Sequence, residues 1–399
     1  MGGRNFKDKY LTSHLITYIG NKRRLLSFIE NAVYDIRKEL GKNKVTIFDG
    51  FSGSGCVSRL FKYDAEHLYV NDIEPYSEII NKCYLANKSE VDIKKIKKHI
   101  DDLNKNKLYN SEMGFIEKNY APKNDNEIEE GERVFYTNKN AKIIDNIRRN
   151  IEETEDKEII PFLLAPLLVK ASIHANTSGV FKGFHKKDGV GHFGGKGENA
   201  LLRIKSDIKL DYPVFCKHEC KVTINRGDTN DIILDLPEVD IAYYDPPYNQ
   251  HPYGSNYFML NIINDYNEPD IQDGVSGILK DWKRSAYNKR QQAEEALNDL
   301  VSKTKAKYII ISYNDEGIIP VNVFKDIIEQ YGVVKKRQKS YTTYRGSKNL
   351  GKNKLLLSGE KKNTKVKELL WILEKKSVKS NFVIDGNCFN ERKDKSFLF

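Results

Sequence analysis

The 399-residue chain predicts an α/β protein built on a Rossmann-like, mostly parallel sheet with a mainly helical insert. Three apolar, β-like runs carry this reading. Val45, Thr46 and Ile47 lead into the glycine loop Phe48-Asp49-Gly50-Phe51-Ser52-Gly53-Ser54-Gly55, Leu68, Tyr69 and Val70 end at Asp72, and Val239, Ile241, Ala242 and Tyr243 end at Asp245-Pro246-Pro247-Tyr248. Strand, glycine turn, helix and strand in succession is the βαβ pattern of a parallel sheet.

Residues 14–40 open with a polar turn, Tyr18-Ile19-Gly20-Asn21-Lys22, and continue as an amphipathic helix with Leu25, Leu26, Ile29, Ala32 and Val33 at helical spacing. Helices are expected from Val57 to Phe61 and from Tyr76 to Leu85, between and after the first two strands. From 90 to 205 strand signals thin out. A Lys/Asp-rich helix (92–107), an acidic loop (Asp125 to Glu132) and helices at 138–153 and 159–175 precede a segment from Gly179 to Gly197 with seven glycines, four lysines and a single acid, Asp188. That segment, with Lys186 and Lys187 in it, reads as a basic loop or hairpin. Strands return at 221–226, 239–244, 307–313 and 368–373. The insert (90–205) therefore splits one α/β domain into halves 1–89 and 206–376, and 377–399 follow as an extension with little periodicity.

A hydrophobic content of 39% with 31% charged residues argues for a globular chain, and no apolar run approaches the roughly 18 residues a membrane span needs. The charged start, MGGRNFKDKY, lacks the apolar core of a secretory signal, and Phe6 stands where a myristoylation pattern needs Ser or Thr, so a cytoplasmic protein without a membrane partner is expected. Five cysteines at irregular spacing do not form a disulfide framework, and Cys216-Lys217-His218-Glu219-Cys220 has no second Cys/His pair at zinc spacing, so no metal is expected. The net charge of +10 is local: residues 335–367 hold twelve Lys or Arg against one acid, Glu360. With Tyr341, Tyr344 and Arg345 among the lysines, this stretch reads either as a polyanion-binding edge or as a solvated loop.

A glycine loop after a strand lets backbone approach a ligand, and the helix behind it presents free N–H groups. By itself Gly53-Ser54-Gly55 suits NAD, FAD or S-adenosylmethionine (SAM). Asp72, at the tip of the next strand, can reach a ribose diol by paired hydrogen bonds. Asp49 can accept from a methionyl ammonium, for which a dinucleotide has no need, and Lys22 can meet the methionyl carboxylate. The Asp245 motif supplies the reacting end. An exocyclic amine of adenine or cytosine is a poor nucleophile because its lone pair is delocalised into the ring. Hydrogen bonds from that amine to Asp245 and to the Pro246 carbonyl would draw the nitrogen toward tetrahedral geometry, with Tyr248 stacked on the extruded base.

These blocks resemble the DPPY-type DNA N6-adenine methyltransferases of restriction–modification systems. The resemblance runs from Tyr18-Ile19-Gly20-Asn21-Lys22 through the glycine loop, Asn71-Asp72 and Asp245-Pro246-Pro247-Tyr248 to Glu368-Leu369-Leu370, with Phe135-Tyr136-Thr137-Asn138, Ala175-Asn176-Thr177-Ser178-Gly179 and Tyr253-Gly254-Ser255-Asn256-Tyr257 as further similar blocks. It implies SAM as cofactor, held by Tyr18, Lys22, Asp49, Phe51, Gly53, Gly55, Asp72 and, near the cofactor adenine, Asp228. It also implies catalysis by Asp245, Pro246 and Tyr248, double-stranded DNA as substrate, insert 90–205 as target-recognition region, and a cognate restriction endonuclease as partner; the basic charge of their own segments marks Lys186, Lys187 and Arg345 for contact with that DNA. Two positions depart from the family: Asn249-Gln250 replaces a common Arg-Gln pair, and Phe258 follows Tyr257 where His is common. Methylation of cytosine N4, or a non-catalytic DNA-binding protein on the same fold, remains the alternative.

Overall fold

The computed structural model describes residues 6, 8–106, 108, 112–195, 197–280, 282, 284–342 and 365–376. In chain order the strands are β1 (Val45–Asp49), β2 (Ala65–Asp72), the two-residue β3 (Lys186–Lys187) and β4 (Val190–Gly191), β5 (Lys221–Arg226), β6 (Val239–Tyr244), β7 (Ala306–Asn314), β8 (Gly332–Thr342) and β9 (Lys365–Lys375). Apart from β3 and β4, which form their own hairpin, they make one sheet in the order β5-β2-β1-β6-β7-β9-β8. The first five of that order run parallel, and β9 is antiparallel to both β7 and β8. From β1 the chain goes one way, to β2 and β5, then crosses back to lay β6 and β7 on the other side. The order thus reverses between β1 and β6, and a crevice opens at their carboxyl ends, where open α/β sheets place their ligands.

Side-chain alternation explains why the central strands read as unbroken apolar runs: both faces are covered. Ile47, Ile241, Tyr243 and Ile310 pack on one face with Leu26, Ile29, Val33 and Ile36 of the helix Leu26–Glu39. Phe48, Ala242, Tyr244, Ile309 and Ile311 meet Leu297, Leu300, Phe324 and Ile328 on the other. The expected strands and helices lie within a few residues of their observed bounds.

One strand escaped the sequence reading. The first part of the basic stretch, 335–342, belongs to β8, the outermost strand, three places from β6, rather than to a loop. Lysines suit an exposed sheet edge, where they discourage pairing with another chain. Lys335 is 3.1 Å from Glu39 and Arg337 2.7 Å from Asp35, so part of this charge is matched by the helix Leu26–Glu39. Tyr344, Arg345 and the extension 377–399 lie outside the described residues.

The insert does not form a separate globule. Its helices Ile93–Lys105, Asn138–Glu152 and Ile160–His174 share one core with the helix Pro75–Tyr84, which packs on the sheet, and with the helix Phe258–Asp265. Ile160–His174 is apolar nearly all round, as a helix enclosed by others must be. Phe258, at the position where the similar family often has His, is fully buried against Tyr120, Phe135 and Phe181. Among the described residues no helix is long and apolar enough to cross a membrane, and no cluster of His, Cys, Asp and Glu could hold a metal.

The β3–β4 hairpin turns through Asp188 (φ 50°) and Gly189 (φ 87°), the left-handed pair that a two-residue turn requires. Lys186 and Lys187 are exposed on it. Asn176 ties this segment down: its Nδ2 donates to the carbonyls of Val134 (2.9 Å) and His192 (3.0 Å), and its Oδ1 accepts from the Gly194 N–H (3.2 Å). Asn176→Ala leaves buried groups unsatisfied at about 1–3 kcal/mol each. We expect faster hydrogen exchange across 186–195 and a lower thermal midpoint; unchanged exchange there would show that the asparagine does not anchor the hairpin.

Candidate active site

Four carboxylates stand at the ends of four adjacent strands. Asp228 follows β5, Asp72 ends β2, Asp49 ends β1 and Asp245 follows β6. Below them opens a cavity of about 760 Å³, counting its open mouth, which lies within the range of small-molecule sites. Tyr18, Lys22, Phe51, Gly53, Asp72, Asp228, Asp245 and Pro247 line it, so the structure brings together residues separated by more than 200 positions.

The glycine loop shapes the cavity floor. Gly53 (φ 51°) and Gly55 (φ 70°) are in the left-handed region, and a Cβ on Gly53 would lie 2.9 Å from the Tyr18 ring, one on Gly55 2.5 Å from Asn81 Oδ1. Only glycine allows so close an approach. Asp72 fastens this loop: Oδ2 accepts from the Gly53 N–H (2.7 Å) and Oδ1 from the Glu74 N–H (2.9 Å). Burial raises its pKa to about 6, against the lowering effect of these N–H donors. Asp228 caps the helix Thr229–Asp235 by accepting from Asn230 N–H. Phe51 stands edge-on to Tyr244 and Tyr287.

Asp49 lies deeper and is fully buried. Its Oδ2 accepts from Ser58 Oγ (2.5 Å), while Oδ1 makes no hydrogen bond. Burial raises its pKa to about 7, with the Ser58 hydroxyl working in the opposite direction. A fully buried, unsatisfied carboxylate oxygen below a glycine loop fits a cationic or N–H-bearing ligand group.

Lys22 differs most from expectation. Rather than standing open for a carboxylate on a ligand, its ammonium is 3.0 Å from Asp245 Oδ1 and 3.0 Å from Glu368 Oε1, with only 3% of its side chain exposed. The ammonium also lies 5.3 Å from the centre of the Tyr248 ring. Burial opposes its charge, but the two carboxylates outweigh that and hold its pKa well above the ordinary value. For Asp245, burial raises the pKa to about 6, Lys22 pulls it down and Glu368 pushes it up. Asp245 keeps 18% exposure, unlike its buried partners. Tyr248 stands edge-on to Tyr313, and its carbonyl accepts from the Ile318 N–H (3.0 Å), which fixes the far side of the proline turn.

Sequence reasoning gave no roles to Glu368, Tyr253 and Tyr257. Tyr18 packs against both of the last two, with ring centres 4.9 and 4.8 Å away, and Tyr257 Oη accepts from the Ile19 N–H (2.7 Å). The usable signals were two tyrosines four apart and a lone acid opening the apolar run Leu369 to Leu373.

A reversing parallel sheet, a glycine-floored cavity at the switch point and an Asp-Pro-Pro-Tyr turn at its mouth define the class of methyltransferases that act on amino groups. Residues 18–327 match the D12 class N6 adenine-specific DNA methyltransferases, and the chain belongs to that family. The Type II methyltransferase M.NlaIII of Neisseria lactamica is 30% identical over 85% of this chain and 95% of its own length. The Type II methyltransferase M.CviAII of Paramecium bursaria Chlorella virus 1 is also 30% identical, over 79% of this chain and 89% of its own. The modification methylase StsI of Streptococcus sanguinis is 27% identical over 94% of this chain, which spans 54% of that longer protein.

A carboxyl held near pKa 7 in the folded state but titrating near 3.8 when unfolded keeps a proton the unfolded chain has lost, so its stabilising contribution disappears as pH rises from about 4 to 7. Asp49→Asn, which stays neutral, is therefore expected to raise the urea midpoint at pH 8 and to flatten the loss of stability between pH 4 and 7. No gain at pH 8 would show that Asp49 is not a source of strain.

Proposed function

We propose that the chain uses SAM to methylate N6 of an adenine swung out of duplex DNA, as the modification component of a cytoplasmic restriction–modification system. The observation that carries this reading is the position of Asp245: partly exposed in the lining of a cavity that Asp72 and Asp228 also line, with Asp49 buried at the end of the neighbouring strand. Relatives that are named type II methyltransferases or modification methylases support the biological setting, and a restriction endonuclease of the same specificity is the partner such a role requires.

SAM supplies a methyl group activated on a sulfonium. Asp72 meets the ribose diol, Asp228 and Phe51 flank the adenine of the cofactor, and the open oxygen of Asp49 accepts from the methionyl ammonium. Gly53 and Gly55 let the backbone close on the ligand, and Tyr18 forms the wall opposite. Asp245 and the Pro246 carbonyl accept the two N–H bonds of the target amine, aiming its lone pair at the methyl carbon, while Tyr248 stacks on the base. Lys22 acts on Asp245 rather than on the cofactor. No covalent intermediate is needed: holding the nitrogen and the methyl carbon in line is the kind of positioning worth about 7–11 kcal/mol. Base extrusion costs a few kcal/mol, which the pocket contacts offset. Lys186 and Lys187 on the β3–β4 hairpin contact DNA phosphates, and the insert carries target recognition; Arg345 is proposed as a further phosphate contact.

Asp245→Ala is expected to abolish methyl transfer to duplex DNA while SAM affinity stays within a few-fold, read by tritium transfer and calorimetry. Loss of SAM binding instead would put the target pocket elsewhere. Since an ionised Asp245 is the stronger acceptor and alone brings negative charge to the amine, and burial pushes its pKa up to about 6, transfer should decline as pH falls through about 6.

Charge reversal at Lys186 and Lys187 is expected to weaken DNA binding and to flatten its dependence on log salt by about 0.9 for each phosphate no longer neutralised. An unchanged slope would remove the hairpin from the interface.

A further inference from the structure

Glu368 enters the site from an unexpected direction. Because β9 is antiparallel, its amino end reaches the same edge of the sheet at which the parallel strands finish, and Glu368 pairs in register with Asn314 at the end of β7. The side chain is 1% exposed, accepts from Ser312 Oγ (2.7 Å) and contacts the Lys22 ammonium at 3.0 Å. One buried ammonium thus faces two carboxylates, and the cluster carries one negative charge in excess when all three are ionised.

We propose that Glu368 is a positioning residue for methyl transfer: by sharing the charge of Lys22, it leaves Asp245 with the unbalanced anionic character that the reacting amine requires. The proposal rests on the reading of Asp245 given above. When the amine nitrogen takes the methyl group from the sulfonium it gains positive charge, the donor sulfur keeps the bonding pair, and the nitrogen then gives a proton to solvent water. A preorganised excess of negative charge beside that nitrogen favours the transition state over the neutral amine. Without Glu368, Lys22 would pair with Asp245 alone, the local charge would be neutral, and the carboxylate would be held for the ammonium instead of the base. The other groups facing this cluster are Tyr243 from β6, Asp49 from β1, and Tyr248 and Tyr253 beyond the proline turn. Tyr243 and Tyr253 supply no negative charge near neutral pH, since burial raises their pKa.

The test compares the full chain with Glu368→Gln, which preserves shape and removes charge. We expect kcat to fall by about tenfold to a hundredfold, as small misplacements at a reacting centre do, with KM for SAM and for duplex DNA within a few-fold. The acid limb of the kcat profile should move to lower pH, because a negative neighbour that raises the Asp245 pKa is gone. Glu368→Asp should recover part of the loss. A purely structural role would lower stability without moving that limb. Should Glu368→Gln fail to fold, Ser312→Ala, which removes the hydroxyl donor to Glu368, is expected to lower kcat several-fold at unchanged KM. Unchanged kcat and acid limb in folded Glu368→Gln, or unchanged kcat in Ser312→Ala where that variant is needed, would overturn the proposal. If Asp245→Ala is inactive in the same series, the proposed function stands regardless; a wild-type chain that transfers no methyl group would overturn both.

Discussion

One ammonium ties the site together. Lys22 arrives from the turn before the first long helix, Asp245 from the end of β6 and Glu368 from the start of β9, and they meet within 3.0 Å contacts in an almost closed interior. Removing Lys22 from such a buried cluster typically costs about 3–5 kcal/mol, because the two carboxylates lose their compensation. The cluster is therefore structural glue between three distant segments as well as the electrostatic setting of Asp245. It also explains why the antiparallel β9 is needed: a parallel final strand would present its carboxyl end, not Glu368, at this edge.

The site stores unfavourable electrostatics. Asp49, Asp72 and Asp245 are all pushed upward in pKa by burial, and Asp49 leaves one oxygen without a hydrogen bond. The cost of these three carboxylates is understandable if the ligand brings the missing donors, a ribose diol, an ammonium and an exocyclic amine, each to a group already in place. Preorganisation of this kind trades folding stability for binding and reaction geometry.

Much of the fold was legible because its signals are local. Apolar runs ending in Asp49, Asp72 and Asp245, with a glycine loop after the first, define strands and a switch-point crevice, and helical periodicity locates the helices of the insert. β8 was not legible: the run Lys335-Lys336-Arg337-Gln338-Lys339-Ser340 has no alternating apolar residue, so an edge strand looks like a basic tail. The insert's merger with the helices Pro75–Tyr84 and Phe258–Asp265 was also hidden, because periodicity shows that a face is apolar but not what covers it. In the site, residue types at strand ends gave Asp72 and Asp245, and the family resemblance gave Asp228; all three line the cavity. The true partners of Lys22 depended on a strand pairing more than 300 residues away.

The most direct test is a crystal structure of the chain with a short duplex containing its target sequence and a SAM analogue whose methyl group cannot be transferred. The account predicts an extruded adenine with its amine about 3 Å from Asp245, within hydrogen-bond reach, and Lys22 shifted toward Glu368. An adenine still stacked in the duplex, or one bound with its amine turned away from Asp245 while Lys22 still holds that carboxylate, would contradict it.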